Sequence, residues 1–210
     1  MSKVTEVAPQ KKNPLRFNIF LDGEFAFGAD EDLVVNRRLV VGKIIDPRDL
    51  DKILFEAEVG KLIEKMYRWF GLRQHSEKEV RDYFRRKTFS QLVIDAVVDV
   101  LKKKGMIDDL IFAKAWTEAR RRSKQKGIRA IKAELFQKGI AKEIIEEVVS
   151  SRSSAVSEED LAKLALEKKM RTWRNLDPQK FKQKAYEFLM RKGFEYEVIK
   201  GIIEKLGKKE

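Results

Sequence analysis

The sequence predicts a mostly α-helical protein: a tandem array of three three-helix repeats preceded by a small N-terminal module that contains a β-hairpin. Three observations predict it. First, one helix register occurs three times, over residues 89–98, 140–149 and 194–203. Each copy opens on a bulky apolar residue (Phe89, Ile140, Phe194), with apolar pairs four and eight positions later: Val93-Ile94 and Val97-Val98; Ile144-Ile145 and Val148-Val149; Val198-Ile199 and Ile202-Ile203. Pairs four apart form one apolar stripe on an α-helix. Second, each copy follows a basic stretch. In two of the three that stretch ends in a glycine (Gly139, Gly193), the residue best able to take the left-handed conformation that stops a helix. Third, 38% of residues are charged, against about a quarter in an ordinary domain. That excess suits an elongated, curved array with much exposed surface. One three-helix unit buries its stripes poorly, and stacked neighbours bury them well.

Composition narrows the function classes. The 210 residues carry a net charge of +12 and include no cysteine. The basic balance favours polyanionic partners: nucleic acid, an acidic protein surface or anionic lipid. Disulfides and thiolate metal sites are excluded. The apolar runs are too short to cross a bilayer and the N-terminus does not read as a signal peptide, so a soluble, cytoplasmic protein without membrane contact is expected.

The elements follow in order. Residues 1–14 are polar, with Pro9, Pro14 and Lys11-Lys12, and read as a flexible tail. Residues 15–55 form the N-terminal hairpin and helix module. Asp22-Gly23 between aromatic-rich runs marks a type I′ turn, because that turn needs positive φ twice. A two-residue loop pairs Phe20 with Phe25 and Asn18 with Phe27, leaving Phe17, Ile19 and Leu21 on the other face. From Phe17 to Val35 there are five acids and no base, so this module is locally acidic. Asp30-Glu31-Asp32 opens a short helix reaching Leu39, and residues 40–45 read as a short strand or extended link.

Asp46-Pro47 starts a helix, N-cap then proline. Its stripe continues to Gly71 as one helix, or as two interrupted at Gly60. Residues 56–105 make repeat one; Ser76-Glu77-Lys78-Glu79 fits a capping box, and the repeated helix runs from about Ser90 to Lys104. Repeat two, 106–151, opens at Asp108-Asp109 and carries Phe112 and Trp116 at core spacing. Residues 150–154 form a polar linker. Repeat three, 157–208, opens at Ser157, has a loop or frayed end over 170–176, and restarts at Asp177-Pro178.

With these stretches in view, the chain resembles the RecX family, bacterial modulators of the RecA recombinase. The matching segments are Ser-Glu-Lys-Glu-Val at 76–80, Asp-Asp-x-x-Phe-Ala-x-x-Trp at 108–116, Glu-Leu-Phe-Gln-Lys-Gly-Ile at 134–140 and Phe-Leu-Met-Arg-Lys-Gly-Phe at 188–194. The hairpin at 17–27 is similar to a leader found in some members. Each motif alone is a helix pattern; the ordered set with its spacing is specific. Thr88 departs from the pattern, standing where the other repeats have glycine. The resemblance implies a non-enzymatic helical protein that binds RecA–DNA filaments along their groove as a monomer. It implies lowered ATPase, strand-exchange and co-protease activity, with auxiliary, weak, sequence-tolerant contact to single- or double-stranded DNA. DNA repair, homologous recombination and the SOS response are the processes implied.

Two basic sets are the candidate partner- and DNA-binding residues. The first is Arg120, Arg121, Arg122, Lys124, Lys126, Arg129 and Lys132, with no acid between 120 and 132. Bases at a helix end and in the loop beyond it can converge on one polyanion, and arginine adds bidentate contacts. The competing reading is a solvated face whose arginines complement a helix C-terminus. The second set is Lys168, Lys169, Arg171 and Arg174, continued by Lys180, Lys182 and Lys184 around Trp173. Exposed, Trp173 would stack on a base or anchor a partner; buried, it closes a three-helix core. Arg85-Arg86-Lys87 reads as a solvated patch.

Enzyme chemistry finds no residues. His75 is the single histidine and reads as a loop residue beside a cap, so no Ser-His-Asp set exists. Asp108-Asp109 fits capping better than Mg²⁺, and there is no glycine-rich phosphate loop. No cofactor or metal is expected. The competing function is a free-standing transcription regulator whose helix–turn–helix-like units place a helix in the major groove. It predicts tight, sequence-selective duplex binding without a recombinase.

Overall fold

The computed structural model describes residues 1–150, 156–173 and 175–207. They fall into two units: 1–74 with 80–107, and 75–79 with the residues from 108 onward.

The first unit begins with a four-stranded antiparallel sheet of order β3-β2-β1-β4, built from β1 (Ser2–Gln10), β2 (Asn13–Leu21), β3 (Glu24–Asp30) and β4 (Ile44–Ile45). The expected flexible tail at 1–14 is therefore wrong. Lys11-Lys12 is a turn between two long strands, and Val4 and Val7 pair with Leu21 and Ile19. Pro9 is tolerated because β4 pairs only with Ser2 and Lys3. At Pro9 the strand has a free edge and needs no N–H there.

The Asp22-Gly23 turn has φ of 51° and 90°, the two positive values a type I′ turn requires. Phe20 pairs with Phe25 as expected, their rings edge to face at 5.9 Å. A bulge then intervenes, so Phe27 pairs with Ile19 and Asn18 with Gly28, correcting the Asn18–Phe27 pairing. The extra residue moves Phe27 onto the face of Ile19 and Leu21. All three are buried there with Val4, Ala29 and Leu39.

Helix α1 (Glu31–Asn36) is capped by Asp30, whose carboxylate accepts the Leu33 N–H, and it stops short of Leu39. Of residues 40–45 only Ile44–Ile45 is strand. Helix α2 (Pro47–Phe70) is continuous through Gly60 and starts at an Asp46 cap. Gly60 has a reason other than breaking the helix: a Cβ there would lie 2.5 Å from Asp30 Oδ2. The module boundary expected at 55/56 falls inside this helix. Ile53 and Ala57 pack under the sheet. Val59, Leu62, Ile63 and Met66 pack with Val80, Phe84, Val93, Ile94, Val97 and Leu101 from α3 (Glu77–Arg85) and α4 (Gln91–Lys103).

The second unit holds α5 (Asp109–Lys124), α6 (Ile128–Gln137), α7 (Lys142–Ser150), α8 (Glu158–Trp173), α9 (Pro178–Lys192) and α10 (Tyr196–Gly207). Asp108 and Asp177 cap α5 and α9 through their carboxylates. Helix α8 continues through 170–173, where the sequence predicts a loop or frayed end; residues 151–154 of the expected linker lie outside the described residues. Residues 75–79, expected in repeat one, count with this unit. Ser76 Oγ donates to the Lys138 carbonyl at 2.8 Å while accepting the Glu79 N–H, and Lys78 Nζ donates to the Gln137 carbonyl. His75 is in the loop before α3, but it is buried, with Nδ1 3.1 Å from Glu79.

The three repeats end their middle helix in one way. The N–H of Phe89, Ile140 and Phe194 reaches back to the carbonyl of Phe84, Leu135 and Leu189 at 3.3, 3.1 and 3.2 Å. The residue before each has positive φ: Thr88 at 59°, Gly139 at 80°, Gly193 at 85°. Thr88 takes the glycine conformation without being glycine. The shared geometry aims each repeated helix back along its partner, burying Ile94, Ile145 and Ile199.

Candidate functional site

The site begins at the end of α5. Gln125 turns the chain with φ 44°, and Lys126-Gly127 leads into α6. Here Gly127 meets the end of α9: its N–H donates to the Lys192 carbonyl at 2.9 Å, and the Arg129 N–H donates to the Gly193 carbonyl at 3.0 Å. A side chain on Gly127 would collide with the Gly193 carbonyl, and one on Gly193 with Ala130. Two glycines thus allow backbone contact between repeats two and three, and that contact carries Lys192 into the first basic set.

The first set then divides by role. Glu134 on α6 accepts from Trp116 Nε1 at 2.8 Å, from Arg120 Nε at 2.7 Å and from Lys126 Nζ. Burial pushes its carboxyl up, but the hydrogen bonds from Lys126, Arg120 and Trp116 together outweigh burial and hold it below its ordinary range. Arg120 also lies 3.9 Å from the Trp116 ring centre. Arg121 pairs with Glu158 and donates to the Val156 carbonyl, and its side chain is only 11% exposed. Lys132 pairs with Glu146 on α7 at 2.9 Å. These four bases are largely committed to holding repeat two and its junction. Arg122, Lys124 and Arg129 are exposed and make no ion pair among the described residues.

In the second set Lys168, Lys169 and Arg171 are exposed on α8, and Lys180, Lys182 and Lys184 on α9. Arg174 lies outside the described residues. Trp173 is the closing residue of a core rather than a surface platform: it meets Phe181 and Phe188 edge to face at 6.2 and 5.8 Å.

The two sets, expected as separate patches, come together in part. Lys168 Nζ is 3.4 Å from Gln125 Oε1. Lys192 Nζ donates to the Lys124 carbonyl. The Lys169 and Lys192 ammoniums sit 5.9 and 5.5 Å from the centre of the same Phe188 ring. Lys192 has a pKa below the ordinary lysine value, through burial first and then repulsion from Lys168, Lys126, Lys124 and Lys169. Lys124, Lys168, Lys169 and Lys192 therefore share one positive field beside the Lys126–Glu134 pair, the arrangement that receives a polyanion. Sequence reasoning misses Lys192 as a site residue, although its basic stretch belongs to the repeat. The signal lies in that repeat: Lys87, Lys138 and Lys192 are equivalent, and each approaches an aromatic ring, of Tyr83, Trp116 and Phe188. Among the described residues there is no cluster of potential metal ligands and no helix long and apolar enough to cross a membrane.

Comparison with known proteins identifies the family. The Regulatory protein RecX N-terminal domain matches residues 2–46, the second RecX three-helix domain matches 108–149 and the third matches 157–203. Regulatory protein RecX of Bacillus subtilis is 34% identical over 206 residues, covering 98% of this chain and 78% of the relative. That of Listeria monocytogenes is 32% identical over 198 residues, covering 94% and 73%. A crystal structure of regulatory protein RecX superposes with a TM-score of 0.80 at 24% identity, over 97% of this chain and all of that one. RecX from Lactobacillus salivarius gives 0.62 at 22%, over 71% of this chain and 96% of that one. Sequence identity over nearly the whole chain, together with a matched N-terminal domain and the second and third three-helix domains matched in chain order, places this protein in the RecX family of regulatory proteins.

Proposed function

We propose that this regulatory protein binds RecA–DNA filaments and lowers their ATPase, strand-exchange and co-protease activities, without catalysis of its own. It works in the cytoplasm as a monomer. The observation that carries the reading, beside family membership, is the convergence of Lys124, Lys168, Lys169 and Lys192 at one junction. That cluster approaches the phosphates of filament-bound DNA while the helical repeats bridge neighbouring protomers. Bridging opposes the changes in protomer packing that accompany ATP turnover. Contact through ammoniums and phosphates makes free DNA binding weak, sequence-tolerant and salt-dependent.

The test is the ATPase rate of the host's RecA on single-stranded DNA, titrated with the full chain. Suppression with co-sedimentation on the filament is the expected result. An unchanged rate together with unchanged strand exchange would overturn it.

A further inference from the structure

The first unit contains a cleft of about 750 Å³ between β2, the end of β3, α1, α2 and α4. Its floor is apolar: Leu33, Phe55, Val59 and Ile63, with Tyr67 at one side and Leu15 at the lip. Leu15 is 65% exposed and Tyr67 45%, so apolar surface stands open there. The walls are acidic. Glu56 and Glu64 are matched by Arg37 and Arg16. Glu31 and Asp32 are exposed and form no ion pair among the described residues, and Asp30 serves as an N-cap. The exposed acids thus add net negative potential beside an apolar floor, on a chain whose overall charge is +12.

Lys104, at the edge of the cleft, has its ammonium held above the ordinary lysine value by Tyr67 first, and then by Asp32 and Asp30. A cleft of this size takes one or two large apolar side chains, and a helix laid in such a groove presents them at spacings of three or four.

We infer that this cleft docks a basic amphipathic segment of a partner protein, a helix whose leucine-like side chains enter the floor while its lysines or arginines face Asp30, Glu31 and Asp32. The segment is a protein one because the acidic wall repels phosphates, so the cleft complements the basic junction in the second unit rather than duplicating it. This inference does not depend on the recombinase reading, since the partner is defined by its chemistry alone.

The test uses the full chain and a fluorescein-labelled helical peptide with leucines on one face and lysines on the other, followed by anisotropy. Glu31→Lys with Asp32→Lys is expected to weaken binding roughly tenfold. Leu15→Ser is expected to weaken it several-fold by removing apolar surface from the lip. All three positions are solvent-facing, and circular dichroism checks that both variants fold. Failure of the peptide to bind, or wild-type affinity in both variants, overturns the proposal. Self-association of the wild type that the same substitutions abolish and the peptide disrupts would make a second copy the occupant, and would overturn it equally.

Discussion

The ammonium of Lys192, the last residue of α9, donates a hydrogen bond to the main-chain carbonyl of Lys124, the last residue of α5. A cation at a helix C-terminus meets carbonyls that lack helical partners and the negative end of the dipole. That local attraction offsets part of the repulsion from the surrounding lysines. The result is a cationic junction held together by backbone, with charge left over for an external anion.

Lys192 should therefore give polyanion binding a distinctive pH dependence. Its folded pKa lies below the unfolded value, so the charged form is the one the fold disfavours. The resulting strain is fully present below the folded pKa and is relieved as pH rises through it. Across that interval the protein gains stability relative to the unfolded chain, and DNA affinity falls. Lys192→Arg stays charged and should flatten the affinity profile. A profile identical to wild type would remove Lys192 from the site.

Charge reversal should separate binding from stability. Arg122→Glu, Lys124→Glu and Lys168→Glu alter exposed side chains, so melting temperature should hold while DNA affinity falls. For every phosphate no longer neutralised, the slope of log affinity against log salt should shrink by about 0.9 on duplex DNA. Arg120→Glu and Arg121→Glu should instead lower stability by about 2–4 kcal/mol, because Glu134 and Glu158 would then face a like charge. Urea unfolding of the two groups distinguishes them.

Glu134 should act as an acid-sensitive clasp. Its folded pKa is depressed, so its contribution is present above the ordinary carboxylate value and is lost as pH falls through the folded value. Glu134→Gln should cost about 2 kcal/mol at neutral pH, because its hydrogen bonds with Lys126 and Arg120 would no longer be charge-assisted on both sides. The difference from wild type should shrink in acid, which urea melts at two pH values would show.

Thr88 holds a conformation that glycine holds in the other two repeats. A β-branched residue there costs roughly 1–2 kcal/mol, and glycine recovers that less its own chain entropy. Thr88→Gly should stabilise the protein by about 0.5–1 kcal/mol in thermal or urea unfolding. Gly193→Ala should destabilise it by more than that amount, since the added Cβ meets Ala130 as well as the φ penalty.

Removing residues 2–10 should destabilise the sheet rather than trim a tail. β1 lies between β2 and β4 and buries Val4 against the core. Its loss exposes the hydrogen-bonding edge of β2 and the apolar face around Ile19, so the truncated chain should aggregate in light scattering.

By itself the sequence determined the helical repeats, their stops and the turn at Asp22-Gly23. These depend on local terms: apolar spacing, capping carboxylates at Asp46, Asp108 and Asp177, and backbone freedom at glycine. It misjudged 1–14 because polar residues and Pro9 resemble a tail until β2 supplies the partner that makes β1 a strand. The bulge that turned Phe27 inward was equally hidden, since one inserted residue leaves no mark on composition. Only the tertiary structure decided which bases hold the fold and which face solvent: Arg120 and Arg121 point to carboxylates 14 and 37 residues away. It alone brought Lys192 beside Lys124, a contact between residues 68 apart. Electrostatics acts through space, and the separation along the chain carries no information about it until the glycines of two repeats let their backbones meet.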